Sequence, residues 1–186
     1  MKVLVFIGPS GAGKSTLLRA LHFEGVIEAF PSWTTRPRRS EEAGGDIDHR
    51  YVSIEEFHEL EERGYFLEAI EMFGFRYGLP AIDPPPDHKV PAILVRVSLL
   101  DLVVKHFPDH FVYHVESSFD HVRARLGSRR MPPREMEERL AAYRKECSLG
   151  REVSDRRLDT SDSLSEVLSA ARRAIAEDFQ IEGSSR

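Results

Sequence analysis

Cysteine is nearly absent from this chain. The single thiol, Cys147, excludes an internal disulfide, and no Cys/His cluster has the spacing of a zinc site. Long apolar runs are absent too: none approaches the ~20 residues of a membrane span. The opening stretch MKVLVFIGPS meets glycine too soon to be a signal peptide. These absences point to a cytoplasmic protein without a membrane partner. A basic excess is also missing. The 26 basic residues face 31 acidic ones, for a net charge of -5, which argues against non-specific nucleic-acid binding. What remains is ordinary globular material, with 186 residues, 41% hydrophobic and 31% charged. A chain of that length buries a core unaided.

Strand and helix signals alternate along the chain, which predicts a parallel α/β sheet with helices on both faces. Lys2 to Ile7 reads as a strand buried on both faces. Lys14 to Phe23 reads as a helix whose inner face carries Leu17, Leu18 and Leu21, with Gly25 as its stop. From Ser32 to Asp87 the texture changes to arginine clusters, glycine pairs and aromatics, which reads as an inserted lobe. Within it, Tyr51 to Ser53 forms a short strand, and Ser53 and Glu56 form a capping box. The helix that follows carries Phe57 and Leu60 and ends at Gly64. Tyr65–Ile70 and Phe73–Tyr77 pair around Gly74. After a stiff Pro84-Pro85-Pro86 link, strands are expected at Val90–Val97, His110–Val115 and Arg157–Thr160. Helices are expected at Leu99–Phe107, Phe119–Leu126, Arg134–Cys147 and Leu164–Phe179. The scattered histidines show no ligand spacing and read as surface or core-edge residues. Cys147 has no histidine partner placed by the sequence.

The segment Gly8 to Thr16, GPSGAGKST, fits G-x-x-x-x-G-K-[ST]. Each residue type has a chemical reason. Glycines let successive N–H groups curl inward around phosphate oxygens. The following helix adds its positive N-terminus. Lys14 can reach the β- and γ-phosphates, and the Ser15 hydroxyl can ligate Mg²⁺. Ser10, Gly11, Ala12, Gly13, Lys14, Ser15 and Thr16 are therefore the expected ATP-binding residues. Thr34-Thr35-Arg36-Pro37-Arg38-Arg39 is a second basic cluster, read either as a solvated turn or as a clamp for another phosphate.

These pieces together resemble the guanylate kinase family. GPSGAGKSTL is followed in order by S-W-TTRP-R-R, G-D-I-D-H-R-Y-V-S with E-E-F, G-Y-F-L-E, and F-G-F-R-Y-G. The match runs from Lys2 through Gly78 and continues weakly through RLGSRR and ERL. The resemblance implies a P-loop fold in which the core spans 1–31, 88–126 and 149–186. The acceptor-binding lobe spans 32–87, and a lid with its following helix spans 127–148. It implies Mg-dependent phosphoryl transfer from ATP to a small phosphorylated acceptor, GMP or dGMP first, by a monomer or homodimer. Arg36, Arg38 or Arg39, and Tyr77 match residues that hold the acceptor phosphate. Ser32 and Glu68 match those that read guanine, and Arg129 and Arg139 match arginines near the transferring phosphates.

The chain departs from the family at several positions. His49 stands where the family usually has a phosphate-binding tyrosine, and Leu79 where it has a small hydroxyl residue. Leu94 and Arg96 replace an acidic pair. Arg96 reverses a charge near two phosphates, which favours a more anionic acceptor or removes base contacts. Two other readings therefore stay open at this point: a kinase of another acceptor such as ribose bisphosphate, and a non-catalytic binding module. An ATPase switch that hydrolyses without an acceptor is a further alternative.

Overall fold

The computed structural model describes residues 1–38, 47–72, 74–85, 89–129 and 131–181. Its core is a five-stranded sheet in the order β2-β7-β1-β8-β9, with every neighbouring pair parallel. The strands are β1 (Val3–Ile7), β2 (Ile27–Ala29), β7 (Val90–Leu94), β8 (His110–Glu116) and β9 (Arg156–Asp159). Alternation along β1 divides the core. Leu4 and Phe6 face α1 (Lys14–Phe23) and α6 (Leu164–Phe179), whereas Val3, Val5 and Ile7 face α3 (Leu100–His106). Leu17, Leu18 and Leu21 of α1 are buried in the first cluster. Burying such a side chain contributes roughly 1.5–3 kcal/mol.

A second, four-stranded sheet has the order β4-β3-β6-β5. It comprises β3 (Ser32–Thr34), β4 (His49–Tyr51), β5 (Phe66–Met72) and β6 (Phe75–Pro80), with α2 (Ile54–Glu62) packed on it. Ser53 caps α2 by accepting from the Glu56 N–H. Phe57 of α2 is buried and stacks on Phe66, with ring centroids 4.6 Å apart. Ser32 lies opposite His49 and Thr34 opposite Tyr77, so the sheet register gathers the lobe's polar residues.

Several elements differ from the sequence expectations: β3 is not among the expected strands, and the strand expected at Tyr51 to Ser53 is β4, His49–Tyr51. Ile27–Ala29 adds an edge strand, β2, that its brevity concealed. Strand β7 stops at Leu94, and a 3₁₀ turn at Val97–Leu99 follows, so Arg96 sits at a bend rather than inside a strand. The helix expected to end at Cys147 is α5 (Pro133–Val153), which continues for more than a further turn. It packs against β8 and against α4 (Phe119–Gly127). Among the described residues, no helix is long and apolar enough to cross a membrane.

Candidate active site

The loop between β1 and α1 owes its path to its glycines. Gly8 holds φ at +144°, and a Cβ there would lie 2.1 Å from the Val115 carbonyl oxygen. No other residue fits that approach. Gly11 and Gly13 also adopt positive φ. The loop is braced from behind by β9 and α4. Thr160 Oγ1 donates to the Ala12 carbonyl at 2.6 Å. Arg125 Nη1 donates to Thr160 Oγ1 at 3.1 Å and to the Gly11 carbonyl at 3.3 Å. Neither Thr160 nor Arg125 carries a motif in the sequence, and only folding shows their part.

A cleft of about 200 Å³ opens between this loop and the second sheet. From the loop it is lined by Ser10, Gly11, Gly13, Lys14, Ser15 and Thr16. From the lobe it is lined by Ser32, Arg36, His49, Glu68 and Tyr77, and from the far side by Arg129 and Arg139. Ala12 turns its side chain into the core. Arg38 lies outside the cleft lining and stacks over Tyr51 at 4.4 Å. Arg39 falls outside the described residues.

Lys14 donates from Nζ to the carbonyls of Gly8 at 2.7 Å and Pro9 at 2.9 Å. Burial pulls its ammonium down to about 7; Glu146 opposes this, and Arg96, Arg129 and Arg139 add to it. Arg139 crosses from α5 to donate to Ser10 Oγ at 2.6 Å and is held by Glu135 at 2.7 Å. On the lobe side, Arg36 is 7% exposed and donates to Tyr51 Oη at 3.1 Å. Ser32 Oγ and His49 Nδ1 share a 2.7 Å hydrogen bond.

Glu68 lies within the cleft wall, and its Oε1 is 2.9 Å from both Lys105 Nζ and His106 Nε2 of α3. Hydrogen bonds from Lys105 and His106 hold its carboxyl below the usual range. The cleft is also lined by apolar Ile70, Met72, Leu79, Leu94 and Leu102.

Two acidic residues not singled out from the sequence matter here. Asp48 is 3% exposed, and its Oδ1 is 2.8 Å from Arg19 Nη2. Burial would raise its pKa, but hydrogen bonds from Arg19 and Ser15 outweigh that and hold it low. The D-I-D run of the lobe was the available signal. Hydroxyl and carboxylate oxygens at Ser15 and Asp48 form a hard donor set that suits Mg²⁺. Glu146, on α5, pairs with Arg96, which does face the cleft. Glu146 Oε2 is buried without a hydrogen-bond partner among the described residues.

Comparison with known proteins fits this geometry. The guanylate kinase family model matches residues 1–82. A guanylate kinase from Hyphomonas neptunium is 44% identical over 82 residues, covering 44% of this chain and 37% of that protein. Several such relatives match over well under half of their own length. A guanylate kinase from Streptococcus pneumoniae is 33% identical over 158 residues, covering 81% of this chain and 75% of that protein. The crystal structure of guanylate kinase from Anaplasma phagocytophilum superposes with a TM-score of 0.69 at 20% identity, covering 97% of this chain and 87% of that one, a likeness of fold. With the extended match to the pneumococcal enzyme, the chain belongs to the guanylate kinase family.

Proposed function

We propose that this protein transfers the γ-phosphoryl group of ATP to a nucleoside monophosphate, with GMP and dGMP as the first acceptors. One observation carries the reading: the phosphate loop and the Arg36–His49–Tyr77 group line opposite sides of the same cleft. Two polyanions repel, so a phosphotransferase must place cations between them. Lys14, Arg129 and Arg139 supply that charge from the loop and lid sides, and Arg36 from the lobe. The acceptor phosphate is already ionised, so no side-chain base is required. Ser32 and Glu68 would read the base, because a carboxylate accepts from two adjacent N–H donors. Ser15 and Asp48 would hold Mg²⁺, which when bound would supply positive charge against the transferring phosphates. The lobe (32–87) and the lid with its helix (127–148) would close on the core to exclude water.

The Arg96–Glu146 pair bears on acceptor choice. A lone guanidinium would favour an extra negative charge on the acceptor. Paired with Glu146, Arg96 adds no net charge to the cleft, which supports a monophosphate over a bisphosphate.

The test is ADP release from Mg-ATP with GMP, dGMP, AMP, CMP, UMP, ribose bisphosphate or no acceptor. Turnover confined to GMP and dGMP is expected. Turnover only with ribose bisphosphate reassigns the lobe, and equal hydrolysis without an acceptor makes the protein an ATPase. Silence with ATP bound makes it a binding module.

A further inference from the structure

A second polar cluster lies behind the phosphate loop, away from the cleft lining. It joins β8 to α5. His114 and Glu116 alternate along β8 and so share one face, opposite the Cys147 turn of α5. Donor atoms of His114, Glu116 and Cys147 all lie within 4.8 Å of one another. His114 is fully buried, and neither ring nitrogen has a hydrogen-bond partner among the described residues. Its nearest charged neighbour is Glu116, with Nδ1 to Oε2 at 3.7 Å. Cys147 is 5% exposed.

An imidazole with two idle nitrogens is costly to bury. The fold nevertheless makes room for it. A Cβ on Gly150 would lie 2.5 Å from His114 Cδ2, so glycine in the last turn of α5 keeps space for the ring. A Leu or Val at position 114 would fill the same sheet face without leaving an unpaired polar atom.

We infer that His114, Glu116 and Cys147 form a binding site for a borderline-soft divalent cation of the zinc class. The donor set is the argument. Imidazole, thiolate and carboxylate are the three ligand types zinc uses, and three protein ligands leave a fourth position for water. Tetrahedral coordination places donor atoms roughly 3.5 Å apart, so the ligands must close from the present spacing by side-chain rotation. Access comes from Glu116, whose side chain is 16% exposed and accepts from Arg151 Nε at 2.7 Å. Arg151 occupies Oε2, the oxygen nearest His114, and opposes the cation; Oε1 retains lone pairs and must turn toward the cluster to ligate.

Cation binding displaces the Cys147 thiol proton to solvent. The bound site, with one imidazole, one carboxylate and one thiolate on a dication, is neutral. It would staple β8 to α5, the helix that delivers Arg139 and Glu146 to the phosphate loop.

Co²⁺ is the probe, because Cys147 is the only cysteine and any cobalt–thiolate charge-transfer band must come from it. Untagged protein titrated with Co²⁺ should develop that near-ultraviolet band with one equivalent, and Zn²⁺ should displace it. Cys147→Ser should lose the band, and His114→Leu should weaken Co²⁺ binding at least tenfold. Arg151→Gln should tighten it. Zn²⁺ should raise the melting temperature of the wild type and leave that of Cys147→Ser unchanged. Absence of the band in folded wild-type protein overturns the site. So does an undiminished band in His114→Leu, or, if that variant fails to fold, a Zn²⁺ shift of equal size in Cys147→Ser.

Discussion

Glu146 of α5 pairs with Arg96, which follows β7, and this pair joins the helix carrying Arg139 to the wall of the cleft. The side chains are 9% and 19% exposed, so the pair is largely desolvated. Truncating one member strands the other. Arg96→Leu should therefore destabilise the fold by about 3–5 kcal/mol. The double variant Arg96→Leu/Glu146→Leu should recover most of that loss, because no charge is left unpaired. Urea unfolding of the four proteins reads the coupling, and additive losses would show that the two residues act independently.

Lys14 makes a pH prediction. Its ammonium sits at about 7, against an ordinary 10.5, with burial as the largest cause. Between those values the folded, ATP-free protein holds Lys14 largely neutral. Phosphate oxygens favour the ammonium, so ATP binding must raise this pKa and draw a proton from solvent. Calorimetry midway in that window, in buffers of different ionisation enthalpy, should show net proton uptake. Lys14→Ala should remove both the uptake and the phosphoryl transfer. An unchanged uptake in that variant would place the titrating group elsewhere.

The alternation of β1, the periodicity of α1 and the phosphate-loop glycines are local signals, and all three appear in the structure at the expected positions. α6 also begins and ends where its pattern places it. What escaped the sequence is non-local. The pattern of α5 predicts an end at Cys147, yet the helix runs on through Gly150, where the His114 ring leaves no room for a Cβ. His114 and Cys147 lie far apart in sequence, and only the packing of α5 on β8 brings them together. Arg96 read as an uncompensated charge reversal, because its partner comes from another element. Thr160 carries no motif of its own.

Glu68 is tied to α3 through Lys105 and His106, so its part in acceptor recognition must be separated from its part in the fold. Glu68→Gln keeps the shape and removes the charge. It should raise KM for GMP roughly 10- to 100-fold, as expected for hydrogen bonds to a charged group, and narrow the preference over AMP. Lys105→Met removes only the exposed tether and should leave that preference unchanged. Equal effects of the two variants on preference, with matching losses of thermal stability, would reduce Glu68 to a structural link.

Thr160 tests whether the brace behind the phosphate loop sets nucleotide affinity. The residue is 9% exposed, and its hydroxyl donates to the Ala12 carbonyl and accepts from Arg125. Thr160→Val keeps the volume and removes the hydroxyl, leaving a carbonyl of the loop without its donor. The cost should be about 1–3 kcal/mol. Ala12 is part of the phosphate loop, so part of that cost should appear as weaker ATP binding, roughly tenfold for each 1.4 kcal/mol. Thr160→Ser retains the donor and should bind ATP like the wild type. Loss of stability in the valine variant with ATP affinity intact would show that Ala12 is held in place by the glycines and the core alone.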